Sequence, residues 1–225
     1  RIGFYPQLIL MMRQSQWRVL ILDKKKIPSL PDFKPNKGIE VWYKKQLQSI
    51  VKEISGDIRD EVLATYRRSV RYAMDSALEG VGHAVDGLVD RWSDKLLMLG
   101  KKISKEMFKR SNANYDREFK RALRRHGFTV SFQMTEYTEK AARDAVAMNT
   151  ALIRSIGNQY LEKVQTHVWE AVGSGLDAGL LAKNLKHDFG VADRRAKNIA
   201  RDQISKVNTA IEHARREEVG IKEAI

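Results

Sequence analysis

Between Asn36 and Ile225 the chain contains no proline, and that absence constrains its fold more than any other feature. Proline removes a backbone donor and clashes with the preceding turn, so a long proline-free stretch leaves helices free to extend. The apolar pattern points the same way. Leu47, Val51, Ile54, Ile58, Val62, Tyr66, Val70, Ala73, Ala77 and Val81 recur at steps of three and four, one face of an amphipathic helix. Beyond Gly80, Gly82 and Gly87 a second such stripe follows, through Leu88, Trp92, Leu96, Leu99, Ile103 and Met107. The pair reads as two long helices joined at a glycine-rich turn, an αα-hairpin. The alternative is one helix kinked at the glycines. At least one helix longer than about 25 residues is expected within 41–110.

The rest of the chain continues in helical period. A polar break at Ser111-Asn112-Ala113-Asn114 is expected to separate a short helix from Tyr115 to His126, stopped by Gly127. Phe128 to Phe132 alternates and fits either a strand or an extended connector. Helix resumes near Thr138, runs to Val172 and ends at Gly173-Ser174-Gly175. A shorter helix is expected from Asp177 to Asp188, and a last one from Ala192 to about Gly220. Trp42, Trp92 and Trp169 fall at helical core positions and read as packing anchors. The fold class is therefore mainly α: long amphipathic helices forming hairpins or a bundle, with a short extended N-terminal arm.

Residues 1–40 differ from all that follows. Trp17-Arg18-Val19-Leu20-Ile21-Leu22 is apolar and β-compatible, and Pro28, Pro31 and Pro35 make the next stretch an extended linker. An isolated strand is not stable alone, so Trp17, Leu20 and Leu22 read as a docking strip for a partner or for the body. The division expected is an arm and linker over 1–40, a helical hairpin with a basic region over 41–136, and a second helical domain over 137–225. The chain opens at Arg1 rather than Met and is read as a fragment.

Several chemistries find no support. There is no cysteine, hence no disulfide and no thiolate nucleophile or ligand. His83, His126, His167, His187 and His213 are scattered, without the spacing that places two imidazoles on one helical face, so no metal site is expected. No nucleophile elbow and no phosphate-binding glycine loop is present, so neither an enzyme nor a cofactor is expected. No apolar run approaches a membrane span, and no membrane partner is expected.

Charge is the positive signal. Forty-one Lys and Arg against 28 Asp and Glu give a formal +13, which favours polyanionic partners. The excess concentrates between residues 101 and 125, where Lys101, Lys102, Lys105, Lys109, Arg110, Arg117, Lys120, Arg121, Arg124 and Arg125 face only Glu106, Asp116 and Glu118. This segment reads as a phosphate-contacting ridge without base readout, or as a solvated helical face. Arg194, Arg195, Lys197, Arg201, Lys206, Arg215 and Arg216 form a second basic series, the next candidate.

The C-terminal third carries a resemblance. Asn149 to Ile156, Tyr160 to Val164, Leu180 to Leu185 and Phe189-Gly190-Val191 lead to the helix Ile199-Ala200-Arg201-Asp202-Gln203, then Lys206, Asn208, Glu212, Arg215 and Gly220-Ile221. Their order and spacing resemble the head-morphogenesis, or minor head protein, family of tailed bacteriophages, of the Mu F-like type. The match covers residues 149–225. Members of that family normally continue into a Trp-containing strand and a polar segment with Asp, Arg and His, and this chain stops before both. The resemblance implies a low-copy protein of the virion, in the capsid interior near the portal vertex and made in the host cytoplasm. It would contact the portal protein and double-stranded DNA without sequence preference, assisting assembly, packaging or DNA delivery. Ile199, Ala200, Arg201, Asp202, Gln203, Lys206, Asn208, Gly220 and Ile221 would be structural signature positions. The alternatives are a free nucleic-acid-binding helical protein, or the non-catalytic part of an enzyme.

Overall fold

The computed structural model describes residues 33–72, 75–125, 127 and 131–218, the side chains of residues 71, 72 and 75–78 excepted. Helix α1 spans Lys37–Asp57, a π-helical turn covers Ile58–Leu63, and α2 covers Ala64–Tyr72. These three form one long, locally rewound helical arm. Three uninterrupted helices follow: α3, Asp75–Arg125; α4, Glu136–Ser174; and α5, Ala178–Glu218. No strand occurs among the described residues, and Ser131 to Thr135 form an irregular connector. The expectation of a long helix holds, since α3 has 51 residues.

Local chemistry sets several helix ends. The Asn36 side chain accepts from the Gly38 and Ile39 amides, capping α1 directly after Pro35. Thr135 caps α4, with Glu136 and Glu139 in the first turn, where the helix dipole favours negative charge. Gly175 ends α4 at φ 65° in the left-handed region, and the Leu176 amide returns to the Ala171 carbonyl. Asp177 Oδ1 then accepts from the Gly179 and Leu180 amides and starts α5.

Cross-helix contacts define an up-down-up-down four-helix bundle. The first arm runs antiparallel to α3, with Glu53 paired to Lys95 and Asp57 accepting from the Trp92 indole. Helix α3 runs antiparallel to α4, with Gly100 against Thr150 and Gln165 donating to Asp86. Helix α4 runs antiparallel to α5, through Ser155 with Arg195 and His167 with Asp188. Helix α5 closes the ring on α1, where Gln48 donates to Asp193 at 2.6 Å. One apolar core fills the space between all four, from Tyr43, Leu47 and Ile54 to Trp92, Leu96, Val164, Val168, Ile204 and Ile211.

Four sequence expectations need correction. Helix α2 ends at Tyr72 and α3 begins at Asp75, so Gly80, Gly82 and Gly87 lie inside α3 and do not join the two helices. Residues 111–114 do not break α3, because Ser111 and Asn114 face inward and are buried. Helix α5 is continuous through Phe189-Gly190-Val191. Trp169 is 48% exposed, lying across Gly82 rather than in the core, whereas Trp92 is 1% exposed as expected of an anchor. The docking strip Trp17, Leu20 and Leu22 and the signature pair Gly220 and Ile221 lie outside the described residues.

Candidate nucleic-acid interface

Helix α3 sorts its second half into two faces. Ile103, Ser104, Met107, Phe108, Ser111, Tyr115 and Phe119 turn inward and are buried. At about 100° per residue the ten predicted cations spread over about 240° of the helix, with Lys102, Lys109, Arg117, Lys120 and Arg124 within about 80° of one another, and all are exposed except the half-buried Lys120. The predicted ridge thus points outward, but it wraps around α3, and only its central stripe from Lys102 to Arg124 shares one face.

Neighbouring groups then divide the ten. Arg110 binds Glu106 at 2.7 Å and stacks over the Trp42 ring at 4.2 Å. Both carboxylate oxygens of Glu118 accept from Arg121. Arg117 donates to the Asn114 side chain, and Lys120 stands over the Phe132 ring. The third acid of the segment, Asp116, faces Arg215 instead of the ridge. Lys101, Lys102, Lys105, Lys109, Arg124 and Arg125 form no ion pair or hydrogen bond among the described residues. Arg124 and Arg125 also occupy the last turn of α3, where the helix dipole favours cations.

In the second basic series only Arg194 and Arg201 are exposed without an ion pair or hydrogen bond among the described residues. Arg195 donates to Gln159 and Ser155, Lys197 binds Asp193, Lys206 binds Asp202 and Arg216 binds Glu212. Burial pushes the Asp193 carboxyl up, but hydrogen bonds from Lys197 and Gln48 and the charges of Lys197 and Arg194 hold it below the ordinary value. Asp202 is also lowered, mainly by its hydrogen bond from Lys206. Along the signature helix, Ala200, Gln203 and Asn208 are buried, Ile199 is half-buried, and Arg201, Asp202 and Lys206 are exposed. Asn208 donates to the Phe33 carbonyl at 2.7 Å, so it fixes the linker before α1.

Two arrangements at the bundle were missed by sequence reasoning. Arg215 is 1% exposed, not part of a surface series. It makes a two-pronged contact with Asp116 (both 2.8 Å), binds Glu218 at 2.7 Å and the Gln133 carbonyl at 2.8 Å, and lies over the Phe132 ring. Burial raises the Asp116 carboxyl above its ordinary value, and Arg215 offsets only part of that. Phe132 stacks on Phe119, and Phe33 meets Tyr115 and Phe119 edge-on, so aromatic rings close this end. Burial also pushes the Tyr115 phenol upward. At the other end, Asp188 is buried beneath His167, whose Nε2 lies 3.0 Å away, and His187 adjoins it. The His167–Asp188 contact crosses from α4 to α5, so spacing along the sequence does not reveal it.

Among the described residues no group of three or more His, Asp or Glu is arranged to hold a metal ion, and no helix is long and apolar enough to cross a membrane. No protein-family profile matches the chain, and no solved structure matches it. The chain is similar to a Haemophilus influenzae protein described only as uncharacterized, with 33% identity over 202 residues. That similarity covers 84% of this chain and 44% of the relative, so the chain spans less than half of the relative's length.

Proposed function

We propose that this chain is a non-enzymatic structural protein of a tailed-bacteriophage head, a portal-associated minor head protein in the capsid interior that contacts packaged double-stranded DNA. The observation that carries the DNA contact is the outward side of α3, where six cations form no ion pair, hydrogen bond or ring contact among the described residues. Such a face attracts phosphates without reading bases, since no helix or loop around it presents a base-recognition set. The placement in a phage head rests on the resemblance of residues 149–225. Attachment is assigned to the N-terminal arm through Trp17, Leu20 and Leu22, because an apolar strip of this kind is stabilised by a partner.

The deciding experiment is co-purification of the full chain with a co-expressed portal ring. Retention of the chain on the ring is expected, with loss after Trp17→Ala, Leu20→Ala and Leu22→Ala together. A chain that never associates with the ring, yet binds duplex DNA, is instead a free nucleic-acid-binding protein. The exposed α3 cations favour that second reading as much as the first.

A further inference from the structure

The far end of the basic face is shaped unlike the rest. Phe33, Lys34, Pro35 and Asn36 run beside the last turns of α3 and leave a groove of about 470 Å3. The linker wall contributes Lys34, and the α3 wall contributes Arg121 and Arg125. A hydrogen bond from Asn36 Nδ2 to Asn114 Oδ1, 3.0 Å long, ties the two walls together. The acid lining the groove, Glu118, is already held by Arg121 at 2.8 and 3.0 Å. Lys34 and Arg125 are exposed and have no ion pair or hydrogen bond among the described residues. The α1 terminus supplies little here, because the Gly38 and Ile39 amides already donate to Asn36. The attraction therefore comes from side chains.

We propose that this groove seats a sugar–phosphate unit of a DNA backbone, with Lys34 and Arg125 on its phosphate and the edge of Phe33 beside its sugar. The inference rests on the nucleic-acid reading above and names the place where the backbone is held. Its volume exceeds what a bare phosphate needs and falls in the range of small-molecule sites, which begins near about 300 Å3. Arginine presents a planar fork that matches phosphate oxygens, and lysine adds a point charge. An acidic protein loop is the competing ligand. Length favours the nucleic acid, because the stripe from Lys102 through Lys109, Arg117 and Lys120 to Arg124 extends about 33 Å along α3, beside the groove at its far end. One turn of B-form duplex covers about the same distance. A regularly charged rod can lie on that face and enter the groove at its end, whereas a short acidic loop would meet only one of the two.

The test compares two pairs of substitutions in the full chain, measured with a generic duplex over a salt series. Lys34→Gln with Arg125→Gln alters the groove, and Arg194→Gln with Arg201→Gln removes equal charge from exposed positions of α5, away from the face. Each lost phosphate contact lowers the salt slope by about 0.9, so two contacts change the affinity ratio between 50 and 200 mM salt by about tenfold. The groove pair is expected to show that change in full, and the control pair less than half of it. The Asn36 side-chain amide resonances, beneath the groove, should also shift on adding duplex to the native protein and not to the groove pair. Equal effects from both pairs, or a still Asn36 amide in the native protein, would overturn the groove while leaving DNA binding intact. That outcome assigns the groove to an acidic protein surface. Failure of the native protein to bind duplex at all overturns the nucleic-acid reading and the groove with it.

Discussion

Arg215 sits where α3, α5 and the connector before α4 meet, and it is the residue on which that end of the bundle depends. Its guanidinium satisfies Asp116, Glu218 and the Gln133 carbonyl, and Glu218 in turn accepts from the Thr135 and Thr138 hydroxyls. A buried ion pair contributes modestly when intact, but removing one member strands the other in a poorly solvating place. Arg215→Met keeps the volume and removes the charge, and it is expected to cost about 3–5 kcal/mol in urea melts at neutral pH. The pH dependence follows from Asp116. Its carboxyl is already raised by burial, and the variant loses the Arg215 charge and hydrogen bond that hold it down. A carboxyl raised in the fold binds protons at higher pH than in the unfolded chain, so the folded state gains stability as pH falls through that raised value. The deficit of Arg215→Met should therefore shrink on acidification toward the ordinary Asp value of 3.8. A deficit that is constant or grows over that range would place the damage elsewhere.

At the scale of elements, glycines decide how closely α3 and α4 approach. A Cβ on Gly157 would overlap the Leu96 side chain, with Cδ2 at 2.8 Å, and Leu96 is itself fully buried. Gly157→Ala therefore sets two effects against each other. Helix propensity favours alanine by about 1 kcal/mol, and overpacking a filled core costs about 1–3 kcal/mol. Because Leu96 has nowhere to move, a net loss of about 1 kcal/mol is expected. Gly190, mid-helix in α5 with nothing within 4 Å of a Cβ, should show the opposite sign. Gly190→Ala should gain about 0.5–1 kcal/mol, and thermal melts of both variants check the pair. The same glycines explain what was legible in the sequence. The three-and-four stripe gave the buried positions from Leu47 to Tyr66, but beyond the π-helical turn at Ile58–Leu63 the register shifts, so Ser69 is buried and Val70 is exposed. The turn position was not legible, since Gly82 and Gly100 serve close contact with Trp169 and Thr150 rather than reversal. Likewise Ser111 and Asn114 read as a break, yet both are buried, and Asn114 accepts from Asn36, 78 residues away in the chain. The ridge was legible because charge density is written in composition. Which cations are neutralised was not, because that depends on partners such as Asp116 turning to Arg215 on another helix.

At the scale of the whole molecule, the +13 charge is not spread evenly, and the bundle determines where its field reaches solvent. On α5, Lys197, Lys206 and Arg216 are paired along the helix by Asp193, Asp202 and Glu212 and Arg215 is buried, which leaves Arg194 and Arg201 exposed without an acid partner among the described residues. Paired charges present a weak field beyond a Debye length of about 8–10 Å, so with two unpaired cations that helix should hold duplex more weakly than α3. Helix α3 keeps six cations without an ion pair, hydrogen bond or ring contact among the described residues, spread over its outward side. If each meets one phosphate, the slope of log K against log salt is at most about −5, at roughly 0.9 per contact. Affinity should then fall by about three orders of magnitude between 50 and 200 mM salt, equally for duplexes of unrelated sequence. Replacing Lys101, Lys105, Lys109 and Arg124 with Gln should reduce the slope by about three to four units with helicity unchanged. Replacing Arg194, Arg201 and Lys206 with Gln removes a comparable share of net charge from α5. A field set by total charge would make the two sets nearly equivalent. Contacts made by one face predict that the α5 set changes the slope by less than about one unit. If the α5 set instead reduces the slope as much as the α3 set, duplex DNA meets the bundle from several sides, and α3 holds no privileged place in binding it.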